Sequence, residues 1–594
     1  MEADGSKLGL ALSGGGFRAS FFHIGVLARL AELGVLRRVE VISTVSGGSI
    51  VGALWYLHAK KLLEQDADPS PQRYVEEVQA LEDEFLEATR RNIRGRVFLN
   101  LAKNFYMARL SYSRSDRIGD LYDRYFYKPA WPGERPKRYR LIDKQIEMRE
   151  LLIQPAGVSE PFDPDVHNAG REAKVPILLL NATSLNTGHN WRFEAVRMGE
   201  PMPADDAMRE VMSDVDKNEL LGQGYYGELG KPAGQKPIAE KQRDFPLGLA
   251  VAASACVPGL FHPLSISGMY RDGRRVQLVD GGVHDNQGVQ GLFDRGCTHL
   301  IVSDASGQMQ EQTQPGARVL SVLGRSTSIY GARLRNEQLV RASREGAAAG
   351  HGLRLMHLRA GLGRHVEPPL AEGDEYAYAP SEQAPHVGAE AFGVAKQVQS
   401  LLARVRTDLD LFGDSEAFTL SLDGYRMTGA FFPGDGEFAQ FVPDAPPGED
   451  PARWQFSGVS DLVGPQAARP GWYTRALRAG SKRFLKPLFL SWFLCGAIAA
   501  LVGVGIWQLV ANWADVTSSL SARPKLWWTL LPLLLLVLYV ADKVRMVLVR
   551  WPSQLLVSIA LPFIFAPLLW LFALVSLPEG WLYRRLARVR PPPR

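Results

Sequence analysis

Short apolar runs alternate with longer stretches of helical apolar spacing through the first third of the chain. Leu8-Gly9-Leu10-Ala11-Leu12 and Val39-Glu40-Val41-Ile42 read as strands. After the first, Phe21, Ile24, Val26, Leu27, Leu30 and Leu33 fall on one helical stripe that stops at Gly34. Ile50, Val51, Ala53, Leu54 and Leu57 repeat the pattern after the second. Further on, Pro176 to Thr183, Val276 to Val279, Leu300 to Ser303 and Leu353 to Leu358 predict buried strands. Leu247 to Ala255, about 316–347 and about 388–411 predict helices. Such alternation predicts an α/β fold, a mostly parallel sheet sandwiched by helices. Residues 59–170 are richly charged and read as helical and loop insertions. Residues 431–480 turn rich in Pro, Gly and acids, as in Pro446-Pro447-Gly448-Glu449-Asp450-Pro451, and predict a linker or a small, loosely packed lobe.

The pattern changes again at the end. Pro487 to Ala514 is 28 residues without a charged side chain, Leu526 to Ala541 is 16, and Trp551 to Pro578 is 28, broken by Pro562 and Pro567. Residues 481–594 therefore predict an α-helical membrane region with hydrophobic segments at 487–514, 526–541 and 551–578. Arg475, Arg478, Lys482, Arg483 and Lys486 precede the first segment, and Arg584, Arg585, Arg588, Arg590 and Arg594 follow the last. Basic residues mark the cytoplasmic side, so both flanks are expected there, with two spanning segments and a third that dips in and returns. The anchor is then multi-pass or hairpin-like and the body cytoplasmic. Arg90, Arg91, Arg94, Arg96, Lys103, Arg109 and Arg114, with no acid from Ala88 to Ser115, form a basic and aromatic stretch. It suits either an anionic membrane surface or a helix with a solvated face.

Composition adds little beyond this division. The formal charge of +5 over 594 residues gives no field for nucleic acid. Cys256, Cys297 and Cys495 have no metal-ligand spacing and make no disulfide framework. Met1 to Lys7 has neither a basic n-region nor an apolar h-region, so no signal peptide is expected.

Chemistry enters where three strands end. The first opens into Ser13-Gly14-Gly15-Gly16-Phe17-Arg18-Ala19, the second into Ser43-Thr44-Val45-Ser46-Gly47-Gly48-Ser49, and Val276–Val279 into Asp280-Gly281-Gly282. A glycine turn before a helix aims backbone N–H groups at developing negative charge. A serine on a sharp strand-to-helix turn exposes its hydroxyl, and an aspartate at a third strand end can act as its base. Together they point to acyl transfer. His23 reads as a packed helix residue; His284 could lie at the mouth of the site. Asp285 and Asn286 could ligate a metal, but no acidic cluster completes such a site, so neither metal nor cofactor is expected.

Over roughly residues 8–430 these motifs resemble those of the patatin-like phospholipases, lipid acyl hydrolases with a Ser-Asp dyad and no histidine. Ala253-Ser254-Ala255-Cys256-Val257-Pro258-Gly259-Leu260-Phe261 belongs to the same resemblance, as do the segments around Arg406 to Asp410 and Asp423-Gly424-Tyr425. It implies a catalytic domain at 1–430, Ser46 as nucleophile and Asp280 as base. Gly14, Gly15 and Gly16 would form the oxyanion hole, and Gly48, Gly281 and Gly282 the motif glycines. Arg18 would either steer a headgroup or order the turn. Where the family carries glycine two residues before the nucleophile, this chain has Thr44. If that position needed φ > 0, a β-branched residue would be costly there. The expected function is a phospholipase A or lysophospholipase acting through an acyl-enzyme on membrane phospholipids or other acyl lipids at the bilayer. The alternatives are a lipid transacylase and a catalytically silent membrane scaffold; a homo-oligomer is compatible with each.

Overall fold

The computed structural model describes residues 5–93, 96–97, 113–132, 145–201, 224–225, 244–258, 261–270, 273–307, 309, 312, 314–349, 352–362, 390–432, 436–467 and 469–482. In chain order its main elements begin with β1 (Leu8–Leu12), α1 (Gly16–Glu32), β2 (Val41–Val45), α2 (Gly47–Gln65) and α3 (Pro71–Thr89). Next come β3 (Ile177–Ser184), β4 (Asn190–Phe193), β5 (Arg197–Gly199), β6 (Gly224–Tyr225), α4 (Leu247–Ser254), β7 (Leu264–Ile266) and β8 (Val276–Asp280). The remainder are α5 (Val289–Asp294), β9 (His299–Asp304), α6 (Val319–Ala349), β10 (Gly352–His357), β11 (Glu390–Ala391), β12 (Val394–Ala395), α7 (Lys396–Leu402), α8 (Asp414–Phe431) and α9 (Gly471–Gly480).

The sheet runs β10-β9-β1-β2-β3-β4-β5-β6. β10, β9, β1, β2 and β3 are parallel, and β4 to β6 continue antiparallel. Every residue of β1 and β2 is buried, as expected of strands covered on both faces. The α/β expectation therefore holds.

One departure from parallel order places the chemistry. β3 pairs with β2 from Val41↔Ile177 to Val45↔Asn181 and then runs on past it. β8 pairs antiparallel with that overhang, at Ala182↔Asp280, Thr183↔Val279 and Ser184↔Leu278. Ala182 also pairs with Trp191 of β4, so β8 must occupy the edge that β2 has vacated. Asp280 thus comes to rest just beyond the end of β2.

Helix α8 lies directly on α1. A methyl group on Gly25 would overlap the Ser421 carbonyl, and one on Gly424 the Phe22 carbonyl. Phe17 and Phe21 of α1 pack edge-on against Phe85 of α3 at ring separations of 6.0 and 5.3 Å, fixing the other side.

Two boundaries differ from expectation. The segment read as a linker or a small, loosely packed lobe contributes side chains to the core: Trp454, Phe456, Val459 and Tyr473 are fully buried. Trp454 Nε1 donates to Glu32 of α1 at 2.9 Å, and the hydroxyls of Tyr473 and Thr419 lie 2.8 Å apart. Its prolines and glycines form turns between aromatic anchors. The helix expected from about 388 starts only at Lys396, because Phe392 (φ 54°) and Gly393 (φ 73°) turn a short hairpin, β11–β12, first. The hydrophobic segments 487–514, 526–541 and 551–578 lie outside the described residues, as do Arg94, Lys103 and Arg109. Among the described residues no helix is long and apolar enough to cross a membrane.

Candidate active site

Ser46 is the one residue between β2 and α2, and its backbone is bent to φ 51°, ψ −115°. An L residue pays for such a conformation in strain of order 1–3 kcal/mol, which surrounding structure must impose. The imposing contacts are visible. Ser46 N donates to Ser254 Oγ at 3.0 Å, while Ser49 and Ile50 donate their N–H groups to the Ser46 carbonyl at 3.0 and 3.3 Å. Gly48 lets α2 start against β1, since a methyl group there would overlap the Leu12 carbonyl. Thr44 stays in the strand; its hydroxyl donates to the Leu179 carbonyl at 2.9 Å and meets Ser49 Oγ at 2.9 Å. The positive φ belongs to the serine itself, so the β-branched residue two positions earlier costs nothing.

Ser254, the last residue of α4, ties this elbow to the sheet. Its hydroxyl donates to the Asn181 carbonyl at 2.6 Å, accepts from Ser46 N, and lies 2.8 Å from Ser49 Oγ. Ser254 lies in a motif that gives it no role by itself, since a serine closing an apolar helix just before a turn is too common a signal.

Asp280 closes β8 beside the elbow. It is 6% exposed and Ser46 is 5% exposed. Burial pushes the Asp280 carboxyl up to about 6, opposed first by the Gly282 N–H and then by the nearby Ser46 hydroxyl. The Gly282 bond measures 2.8 Å to Oδ1. A carboxylate poised near 6 is ionised at neutral pH yet basic enough to accept a proton from a hydroxyl under attack. Gly281 fits because its Cα lies against the Asn181 carbonyl, where a side chain would overlap.

The glycine turn lies on the far side of Ser46. Gly15 (φ 142°) and Gly16 (φ 57°) take conformations that favour glycine, and α1 starts at Gly16. Of the three expected oxyanion donors, Gly14 is already engaged: its N–H donates to the Asn286 carbonyl at 2.9 Å. The N–H groups of Gly15 and Gly16 take no hydrogen-bond partner among the described residues. The turn therefore offers two donors rather than three. A methyl group on Gly14 would overlap Asn286 Oδ1 and come within 3.2 Å of Ser46 Cβ; one on Gly282 would also overlap Oδ1. Asn286 thus sits between the oxyanion turn and the aspartate turn and joins them, a role that its place six residues after Asp280 does not reveal.

Arg18 is 3% exposed and orders the turn. Its Nε and Nη2 donate to the Ala305 carbonyl at 3.2 and 2.9 Å, and Nη1 to the Val405 carbonyl at 2.9 Å. Burial brings its pKa down to about 10, opposed by Asp304. The headgroup reading of Arg18 is set aside, since its donors are consumed by backbone carbonyls.

Neither histidine joins the pair. His23 is fully buried, with Nδ1 2.6 Å from Ser303 Oγ and Nε2 3.0 Å from the Ser13 carbonyl, and burial lowers its pKa to about 4. His284 is lowered to about 4 by burial first and then by His189, and its other charged neighbours are Asp294 and Arg192. Asp285 caps its own turn, accepting from the N–H groups of Gln287, Gly288 and Gln290 at 3.1, 2.9 and 2.8 Å. Among the described residues no group of three or more His, Cys, Asp or Glu side chains is placed to hold a metal ion.

Over 50 residues the chain is 42% identical to S-methyl-5'-thioadenosine phosphorylase of Drosophila pseudoobscura pseudoobscura, a stretch that covers 8% of this chain and 17% of that protein. So short a match leaves most of the phosphorylase without a counterpart here and carries no argument. Residues 10–293, from β1 through the glycine turn, the serine elbow and Asp280 to α5, match the model of the patatin-like phospholipase family, which supports a lipid acyl hydrolase at the level of the family.

Proposed function

We propose that this chain is a serine lipid acyl hydrolase of the phospholipase A or lysophospholipase type, working through Ser46 and Asp280. Ser46 Oγ attacks the ester carbonyl carbon and passes its proton to Asp280. The carbonyl oxygen becomes an oxyanion held by the N–H groups of Gly15 and Gly16, each such donor being worth ~3 kcal/mol to the transition state. The leaving alcohol takes the proton back as the acyl-enzyme forms. Water then repeats the sequence and frees the fatty acid.

The observation that carries this reading is geometric: β8 brings Asp280 to the end of β2, beside the strained Ser46 elbow, in a buried setting that raises its carboxyl to about 6. An unassisted serine is a poor nucleophile, and Asp280 is the ionisable group that supplies the assistance. Ser46→Ala should abolish both ester hydrolysis and labelling by a fluorophosphonate, with the melting temperature unchanged or raised. Full labelling of the variant would refute the assignment.

The hydrophobic segments 487–514, 526–541 and 551–578 support a membrane anchor for this enzyme, and the basic flanks at Arg475–Lys486 and Arg584–Arg594 support a cytoplasmic body and C-terminus. Arg590→Cys, probed on intact cells with an impermeant thiol reagent, should stay unlabelled; labelling from outside would mean an odd number of crossings.

A further inference from the structure

Helix α6 connects β9 to β10 and is far longer than that connection needs. Its 31 residues extend ~46 Å at the usual rise, whereas the six-residue strands it joins extend only ~20 Å. The chain leaves β9 at Asp304, at the carboxyl edge of the sheet, and re-enters β10 at Gly352, level with His299 at the opposite edge. Arg335 interacts with both Asp304 and His357, the last residues of the two strands, and so marks the level of the carboxyl edge on the helix. Arg341, further on, lies over the Phe293 ring of α5 at 6.0 Å. Residues 319–334 therefore continue ~24 Å past that edge. Ser46, Asp280 and the glycine turn lie on the same edge.

This projecting half carries apolar side chains in the open. Val319 and Tyr330 are each 73% exposed, Leu323 57%, Val322 47%, Ile329 42% and Leu334 40%. Their spacing puts all six on one face, an arc of ~140° at 100° per residue. Gly324, Ser328 and Gly331 occupy the other face with Arg335, whose charge acts on Asp304 and His357. Arg333 is exposed and falls within the apolar arc, as does Ser326. Arg318 is exposed just before the helix begins, and from Gln312 to Asn336 there is no Asp or Glu. A second copy would bring the same positive charge against it.

We propose that the projecting half of α6 is a docking surface for an anionic phospholipid bilayer, its apolar face set into the headgroup boundary and its arginines on lipid phosphates. The proposal rests on the reading of the substrate as a bilayer lipid. It gives the carboxyl edge of the sheet a fixed orientation toward the membrane. Arginine beside an apolar helical face is the pattern that favours interfacial binding to anionic lipid.

The test uses the full chain carrying Ile329→Cys labelled with an environment-sensitive fluorophore. It is placed with vesicles of phosphatidylcholine alone, or of phosphatidylcholine mixed with phosphatidylglycerol, each made with and without brominated acyl chains. Quenching by brominated lipid in the anionic vesicles, weaker in the neutral ones, is expected. A spectral shift that follows protein concentration with no quenching would show a second copy covering the face, and no change at all would leave the face in solvent; either overturns the proposal. In parallel, Val322→Ser combined with Leu323→Ser and Tyr330→Ser should lower hydrolysis of vesicle lipid about tenfold or more, with turnover of a soluble short-chain ester unchanged. Equal loss on both substrates would mark the helix as a support for the fold and would also overturn the proposal. If the hydrolase reading itself fails, the parent chain will cleave neither substrate while the quenching still reports on α6.

Discussion

Asp280, at the carboxyl edge of the sheet, and Asp423, on the α8 helix that lies against α1, are both buried, and burial raises the pKa of each. The outcomes differ because their surroundings differ. Asp280 has the Gly282 N–H and the Ser46 hydroxyl to stabilise its anion and stops near 6. Asp423 has no hydrogen-bond partner on either oxygen among the described residues and reaches about 8, with only Arg426 opposing the rise. One is therefore charged at neutral pH and the other neutral. Burial alone leaves a carboxyl neutral at pH 7; burial beside the Gly282 N–H and the Ser46 hydroxyl leaves one that is ionised there, as the proposed base must be.

The largest expected effect tests that contrast directly. Asp280→Asn should cost about 10³-fold in kcat, within the usual range for a lost general base, because the amide can still accept from Gly282 but cannot take the serine proton. Asp423→Asn should leave turnover alone. Comparable losses in the two variants would erase the distinction.

The pH profile comes next. The base must be deprotonated, so kcat/KM on a soluble ester should climb about tenfold per pH unit up to a bend near 6 and then level off. Asp280→Asn should lose that bend. A bend that follows His23→Gln or His284→Gln instead would reinstate a histidine.

Ser254→Ala removes the acceptor of the Ser46 N–H and the donor to the Asn181 carbonyl. Leaving two buried backbone groups unpaired costs ~1–3 kcal/mol each. The melting temperature should fall, and turnover should drop about tenfold as the elbow relaxes. Full activity in this variant would mean that the elbow holds its shape without α4.

The smallest effect concerns stability. Asp423 has its folded pKa raised, so its favourable contribution is complete below its unfolded value, near 4, and is lost as pH rises through about 8. Asp423→Asn should accordingly melt a few degrees above the parent at pH 9, with the gap closing toward pH 5. An unchanged gap would mean that Asp423 has the same pKa in the folded and unfolded chain.

Much of this site was legible because each of its three parts ends a strand and carries its glycines with it. Local signals locate Ser46, Asp280 and the Gly14–Gly16 turn. They do not reveal that β8 runs antiparallel into the space left by β2, since strand pairing across about a hundred residues leaves no local mark. For the same reason Gly14 could not be separated from Gly15 and Gly16: the difference lies in Asn286, far along the chain. Arg18 looked available because a guanidinium after a glycine turn resembles an anion site; the carbonyls of Ala305, Ala403 and Val405, from distant segments, claim it. Composition misled at 431–480, where Pro and Gly outnumber the few aromatics that do the anchoring. Helical spacing predicted the length of α6 without showing that half of it would stand clear of the sheet.

The left-handed bend at Ser46 sets two demands on one codon. By backbone preference alone the position belongs to glycine, and Ser46→Gly would relieve the bend while removing the hydroxyl. Selection for a sturdier fold and selection for turnover therefore pull this residue in opposite directions. In a library screened only for thermal tolerance, glycine at this position should be enriched among the survivors, and every one of them should be inert.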